Sequence, residues 1–322
     1  ALWKSYKREV APDESFYASR LNQLFFLGLD NPNEQDLTGI NANMPTFMRE
    51  QIGDVPYLNG GLFEKTDDDK DHAIAAPDEA VGAILNDLFA RFNFTVTEST
   101  PLDVEVAVDP EMLGKVFEEL VTGRHEAGAY YTPKPIVSFM CREALKGYLK
   151  HNLPNESAQV LDAFVDEHNP EGIRDHEGVL EALRRVRVCD PACGSGAYLL
   201  GMMHELLDLR AALFGKVQLD HATIYARKLE IIQNNLYGVD VDEFAVQIAR
   251  LRLWLSLSVD YVGERPEPLP NLDFKIEQGD SVLSPSPEGS EPTEFRDNFV
   301  RQFLATKARY ITAHGSDKKQ LR

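Results

Sequence analysis

The stretch VRVCDPACGSGAYLL, Val186–Leu200, decides how the chain is read. Val186 and Val188 alternate with polar neighbours, a pattern that fits a pleated strand. Asp190 and Pro191 end that run, since proline donates nothing to a strand ladder. Gly194 and Gly196 follow closely, and an apolar run begins at Ala197. Glycines there permit a backbone bend or a close approach by a ligand, and a helix start beyond them offers free N–H groups to an anionic or sugar-bearing molecule. A glycine pair alone fits a tight structural turn equally well.

Working outward, the period changes repeatedly. VRVCD reads as a strand and GAYLLGMMHELLDLRAALF as a helix; LDHATIYARKLEIIQNNL is a second helix and YGVD a second strand. DEFAVQIARLRLWLSLSVD is a third helix and DFKIEQGD a third strand. Strands alternating with helices of this length predict a parallel sheet flanked by helices. Towards the amino end, FYASRLNQLFFLGL and AVGAILNDLFARF space their apolar residues three and four apart, as helices do. VPYLNGGLFE interrupts them with an Asn-Gly-Gly turn, either a short hairpin or a helix connection, and a further helix is expected from Pro110. Thr132 is placed to cap a helix ending near Leu149, and residues 151–178 read as a polar loop with at most a short helix. The expected fold class is α/β: a partial Rossmann-like parallel sheet preceded by a mainly helical domain. The expected divisions are a helical domain over 1–125, a cofactor-binding half over 126–285, and a loop with a last helix over 286–322.

Composition narrows the classes. With 322 residues and 43% hydrophobic content the chain can bury a substantial core. No window approaches the roughly eighteen apolar residues of a membrane helix, and no basic-then-apolar leader opens the sequence, so a cytoplasmic protein with no membrane partner is expected. Cys141, Cys189 and Cys193 are too few for a disulfide framework, and no Cys or His cluster completes a metal site around them; they are expected to be buried thiols, with no metal. The formal net charge of −19 argues against a chain that itself grips phosphates. Gly60 to Pro110 carries twelve acidic against three basic residues, expected to be solvated surface in preference to a cation cage.

In an open α/β sheet ligands collect at the carboxyl ends of the strands. Asp190, Asp240 and Asp280 stand at three successive strand ends, the first beside the glycine turn. The spacing departs from the dinucleotide fingerprint G-x-G-x-x-G. A carboxylate at Asp190 can accept from a cationic amino group, which favours an amino-acid-bearing cofactor, S-adenosylmethionine, over NAD. Asp240 can take both ribose hydroxyls, with Val241 facing an adenine ring, or it can cap the following helix, a role Asp242 fills equally. Asp280 can accept from the adenine amino group or simply shape the turn.

GAYYTP, DPACGSGAYLL, LYGVDVDEFAVQIARLRLWLSL and PNLDFKIEQGDSV together resemble the cofactor half of DNA adenine-N6 methyltransferases of the γ class. The match is with methylase regions of restriction-modification enzymes, particularly large single-chain type II enzymes, and with related phage-defence methylases. VPYLNGGLFE and DPEMLGKVFEEL resemble the helical region preceding that core, so the likeness runs from Val55 to Val282. The resemblance implies that Tyr131, Thr132 and Pro133 pack over the methionine part of the cofactor. Asp190, Ala192, Gly194 and Gly196 would surround its amino-acid portion, Asp240 the ribose, Val241 the adenine face, and Asp280 the adenine amino group. The implied partner of the full-length parent is double-stranded DNA.

The family's catalytic Asn-Pro-Pro-Tyr/Phe block, expected after Gly-Asp-Ser, does not occur in the sequence; the nearest strings, DNPNE and LPNLD, precede that point. A flipped adenine needs acceptors for its N6 hydrogens and a stacking face, which such a block supplies. The expectation is therefore a fragment of a longer methyltransferase, inactive alone, with no catalytic residue of its own, weak or absent DNA binding, no nuclease signature, and a sheet edge open to self-association. Two other readings stay open: a non-catalytic S-adenosylmethionine-binding or assembly module, and a methyltransferase acting on something other than DNA.

Overall fold

The computed structural model describes residues 1–9, 14–29, 44–53, 55, 63, 76–90, 132–214, 220–262, 272, 274–283, 301–302, 305–307 and 309–310. Tyr131, the helix expected from Pro110 and all of VPYLNGGLFE except Val55 and Phe63 lie outside them. The chain divides into two compact units. One comprises Ala1–Val108, Gly263–Phe274 and Ser290–Arg322; the other comprises Asp109–Val262 and Lys275–Gly289.

The first unit holds helices α1 (Leu2–Tyr6), α2 (Thr46–Ile52) and α3 (Asp78–Ala83), with wider π-helical turns at Tyr17–Leu21 and Leu24–Leu29 and, directly after α3, at Ile84–Phe89. Leu2, Tyr6, Phe16, Met44, Met48, Val55 and Val81 form its core. Phe16 meets Trp3 and Tyr6 edge to face at 4.9 and 5.3 Å, the arrangement the ring quadrupoles favour. Asp78 Oδ1 accepts from the Phe16 N–H at 2.8 Å and so ties α3 to this aromatic cluster.

The second unit is α/β. Its strands β1 (Val188–Asp190), β2 (Leu236–Asp240) and β3 (Ile276–Gln278) pair in parallel in that order. Asp190 stands opposite Gly238, and Asp240 opposite Gln278. Helices α4 (Lys134–Asn152), α5 (Ala158–Glu167) and α6 (His176–Arg185) precede the sheet. After each of the first two strands comes a crossover: α7 (Ala197–Ala212) and α8 (His221–Asn234) between β1 and β2, and α9 (Glu243–Ser258) before β3. This is a partial Rossmann-like fold.

Two expectations need correction. Residues 151–178 are not a loop: α5 fills much of that stretch and α6 begins at its end. Leu161, Phe164 and Val165 bury one face of α5, and Asp175 caps α6 by accepting from the Gly178 N–H at 2.8 Å. The acidic Asp162, Asp166 and Glu167 around those apolar positions mask the helical spacing. Thr132 does not cap α4 with its side chain either; Pro133 holds the cap position in extended conformation, and the helix continues to Asn152.

The helix α7 is apolar nearly all round because it is covered by α4 as well as by β2. Gly201 is what allows α4 so close: a Cβ there would sit 2.3 Å from Val137 Cγ1. Two charged residues, Glu205 and Arg210, are buried in the same helix. Glu205 accepts from Ser138 Oγ at 2.6 Å and from Arg142 Nε at 2.9 and 3.0 Å, and its Oε2 lies 3.2 Å from His168 Nε2. His168 reaches it from a left-handed turn at the end of α5, φ 51°. Burial opposes the charge on Glu205, but the bonds from His168, Ser138 and Arg142 outweigh it and hold the carboxyl at about 2.

Replacing Gly201 by Ala is expected to destabilise the chain by about 1–3 kcal/mol in urea unfolding, because Val137 is β-branched and cannot rotate clear. Val137→Ala in the same chain is expected to restore most of the loss. A neutral Gly201→Ala would contradict the close crossing. For Glu205, a folded pKa below the ordinary 4.5 means the stabilisation is complete above about 4.5 and lost as pH falls towards 2. Glu205→Gln is therefore expected to be less stable than wild type at pH 7, with the gap closing below pH 4.5; a gap of constant size would count against the buried ion cluster.

Candidate functional site

The site is built where β1 and β2 end. Beyond β1 the chain turns sharply, with Gly194 and Gly196 both at positive φ, 51° and 83°. A side chain at Gly196 would also meet Ala249 Cβ at 3.0 Å, so both glycines are demanded by geometry. The turn is held by the neighbouring strand: Cys193 N–H donates to Val239 O at 3.0 Å, and Gly194 N–H donates to Asp240 Oδ2 at 2.7 Å. Asp240 Oδ1 accepts from the Asp242 N–H at 3.0 Å.

The competing roles for Asp240 and Asp242 are thereby separated. Asp242 caps α9, its Oδ1 accepting from the N–H groups of Phe244 and Ala245. Asp240 bridges the two strand ends and keeps further lone pairs on each oxygen. Asp190 is the more unusual group. Its Oδ1 accepts from the Ala192 N–H at 3.2 Å, whereas Oδ2 is buried and meets no donor among the described residues. Burial pushes the Asp190 carboxyl above its ordinary range, the Ala192 N–H opposes this, and the charge of Asp240 adds to the rise. A buried acceptor without a donor, beside a second carboxylate, has the chemistry to receive a cationic group.

The end of β3 joins the same region. Ser281 Oγ donates to Pro191 O at 2.7 Å, and Gln278 Nε2 donates to Val241 O at 3.2 Å. Asp280 lies two residues beyond β3, and its Oδ1 accepts from the N–H groups of Val282 and Leu283 at 2.9 and 3.0 Å. Asp280 thus shapes the turn, with Oδ2 outside those two bonds. Val241 and Phe244 are exposed after β2, as are Val282 and Leu283 after β3. Large apolar side chains left in solvent at two adjacent strand ends give a flat ring a surface to lie on.

The structure therefore brings together Asp190, Ala192, Gly194, Gly196, Asp240 and Val241, with Asp280 at the margin. Thr132 and Pro133 stand at the amino end of α4, and neither donates or accepts a side-chain bond at the turn among the described residues. Three contributors escaped the sequence reading: Ser281, Gln278 and Arg252, whose Nη1 donates to Ser195 O at 2.7 Å. Ser281 adjoins Asp280 in the sequence, but a serine in a turn carries many readings. Among the described residues, no group of three or more His, Cys, Asp or Glu is placed to hold a metal, and no helix is long and apolar enough to cross a membrane. The three cysteines are not all buried as expected: Cys189 is exposed, since it points away from the face that covers Cys193.

Residues 167–264 match the DNA-methyltransferase domain of MmeI, and residues 234–319 match the Eco57I restriction-modification methylase family. A protein of Methanocaldococcus jannaschii, named as a type II restriction enzyme and methyltransferase, is 32% identical over 330 aligned positions, 95% of this chain and 27% of that protein. DNA methyltransferase A of Bacillus subtilis is 24% identical over 244 positions, 74% of this chain and 23% of that protein. The chain thus spans about a quarter of the length of both relatives. Among solved structures, the type IIL restriction-modification enzyme MmeI in complex with DNA shares the fold, with a TM-score of 0.51 and 17% identity over 88% of this chain and 34% of that one. Two overlapping parts of the chain are thus similar to methylase families of restriction-modification enzymes.

Burial, then the charges of Asp190 and Asp240, pushes the Cys193 thiol up to about 12, and burial does the same for Cys141. Titration of the folded chain with a thiol-reactive disulfide at pH 8 is expected to find one fast group, lost in Cys189→Ser, and three in denaturant. Rapid reaction of Cys193 would contradict the packing of the turn.

Proposed function

We propose that the chain is the S-adenosylmethionine-binding part of a site-specific DNA adenine-N6 methyltransferase from a restriction-modification or defence system, working in the cytoplasm. Double-stranded DNA is the substrate of the full-length parent. The observation that carries the reading is the unpartnered, buried Asp190 Oδ2 beside Asp240 on a glycine turn. The residues fit the cofactor. Asp190 receives the ammonium of its amino-acid portion, and Ala192, Gly194 and Gly196 leave the backbone open beside it. Asp240 accepts from the ribose hydroxyls with the lone pairs its two backbone bonds leave over. Val241 faces the adenine ring and Asp280 accepts from its amino group. Tyr131, Thr132 and Pro133 are assigned to the methionine portion on the sequence resemblance alone. When bound, S-adenosylmethionine supplies an electrophilic methyl group on a sulfonium.

This chain's own work is to bind and orient. The Asn-Pro-Pro-Tyr block that would hold the target adenine is not in its sequence, and its charge of −19 is ill suited to hold DNA. We assign the catalytic block and the base-reading surface to other parts of the parent, and expect no methylation from this chain alone.

Calorimetric titration tests the reading. S-adenosylmethionine is expected to bind saturably and NAD not at all. Asp190→Asn keeps the acceptor for Ala192 and removes the charge; it is expected to weaken binding roughly tenfold or more. Because a cationic ligand favours ionised Asp190, whose pKa stands above its usual value, affinity is expected to fall as pH drops through the Asp190 titration and to become flat in the variant. A folded sample that binds NAD in preference, or an Asp190→Asn variant with wild-type affinity and pH profile, would overturn the assignment.

A further inference from the structure

Arg252 lies entirely inside the protein, at 0% exposure, although a buried guanidinium is costly unless it is well bonded. It projects from α9 beneath the glycine turn, one helical turn beyond Ala249, which packs against Gly196. Its Nη1 donates to Ser195 O at 2.7 Å and to Ser195 Oγ at 3.1 Å. The peptide unit from Ser195 to Gly196 is a rigid plane. Its carbonyl is held by Arg252, and its N–H donates to Cys193 O at 2.8 Å. With both ends fixed, that plane cannot rotate, and its orientation sets the left-handed φ of Gly196, the cap of α7.

We propose that Arg252 is a positioning residue for the ligand turn: by locking the Ser195–Gly196 peptide it preorganises the backbone that receives the amino-acid portion of the cofactor. This rests on the S-adenosylmethionine reading above. The α7 N–H groups that follow Gly196 have no acceptor within their own helix, so the direction in which they point is set by the conformation of the cap. A ligand that must first order this turn binds more weakly than one that finds it ordered. The adenosine portion, by contrast, meets Asp240 and Val241 on the adjoining strand end, whereas the bonds from Arg252 to Ser195 act on the turn itself. Lysine cannot substitute fully, because its ammonium lacks the planar fork of the guanidinium.

Two ligands separate positioning from a general structural role. Methylthioadenosine has the adenine, ribose and sulfur of S-adenosylmethionine but no amino-acid portion. Arg252→Lys is expected to weaken S-adenosylmethionine roughly tenfold in calorimetric titration, the scale of a hydrogen bond from a charged donor, and to leave methylthioadenosine within about twofold. Ser195→Ala, which removes the Oγ bond to Arg252 and leaves the Ser195 carbonyl in place, is expected to weaken S-adenosylmethionine roughly threefold with the same selectivity, and it decides the matter if Arg252→Lys does not fold. Equal weakening of both ligands, or no weakening of either, overturns the positioning role while leaving the cofactor reading intact. A folded wild type that binds neither ligand overturns the cofactor reading and this proposal with it.

Discussion

The bond from the Gly194 N–H to the Asp240 carboxylate is the constraint on which the site depends. It joins groups 46 residues apart and closes the turn after β1 against the end of β2. The parallel register sets it up: Asp190 pairs with Gly238, so Asp240 extends past the end of β1 towards the turn. Gly238 has its own part, because a Cβ there would come within 3.0 Å of both Leu199 Cδ1 and Cys193 Sγ. Side chains of the turn and of α7 occupy the space that residue 238 leaves open. A charge-assisted bond from a backbone donor is strong and short, as the 2.7 Å distance shows.

Behind the site, buried polar groups fix elements that apolar packing alone would leave free to slide. Asn235, wholly buried, donates to the carbonyls of Arg184 and Val186 at 3.0 and 2.6 Å and accepts from Arg210 Nη2 at 2.8 Å. It thereby ties the end of α6, the last turn of α7 and the start of β2 in one network. Lys228 donates to Asp260 at 2.7 Å and to Ser256 O at 3.1 Å, joining α8 to the end of α9. Such groups are expensive to bury unless every bond is made, and so they admit few alternative arrangements. They fix the strand ends relative to one another, and the strand ends carry the carboxylates.

The glycine turn, the three strands and the helices between them were legible because each rests on local chemistry: β-branched runs, glycines where the backbone bends, apolar residues at helical period. Asp190 and Asp240 were legible as strand-end carboxylates for the same reason. What stayed hidden was long-range. Nothing in the local sequence of Arg252 or Ser281 says that one reaches Ser195 and the other Pro191. The polar stretch containing α5 misled because only Leu161, Phe164 and Val165 mark its buried face. The choice between Asp240 and Asp242 as helix cap could not be made from sequence, since both have the right chemistry at adjacent turns; the fold resolves it by engaging Asp240 with Gly194.

Two carboxylates and a glycine turn make this an electrostatically strained place. Without a cation, half-buried Asp190 keeps one buried, unsatisfied oxygen with a second negative group nearby, which is why its proton is held more tightly than usual. A ligand that brings an ammonium satisfies the orphaned oxygen and offsets the repulsion at once, so its binding draws on strain already present in the fold. A ligand without the cation gains none of this. Discrimination between a zwitterionic amino-acid cofactor and a dinucleotide would then follow less from shape than from charge, with Asp240 held in place by Gly194 and Asp190 left waiting for a donor. Arg252 contributes to the same turn: its bond to Ser195 O holds the backbone that lies between these carboxylates and α7.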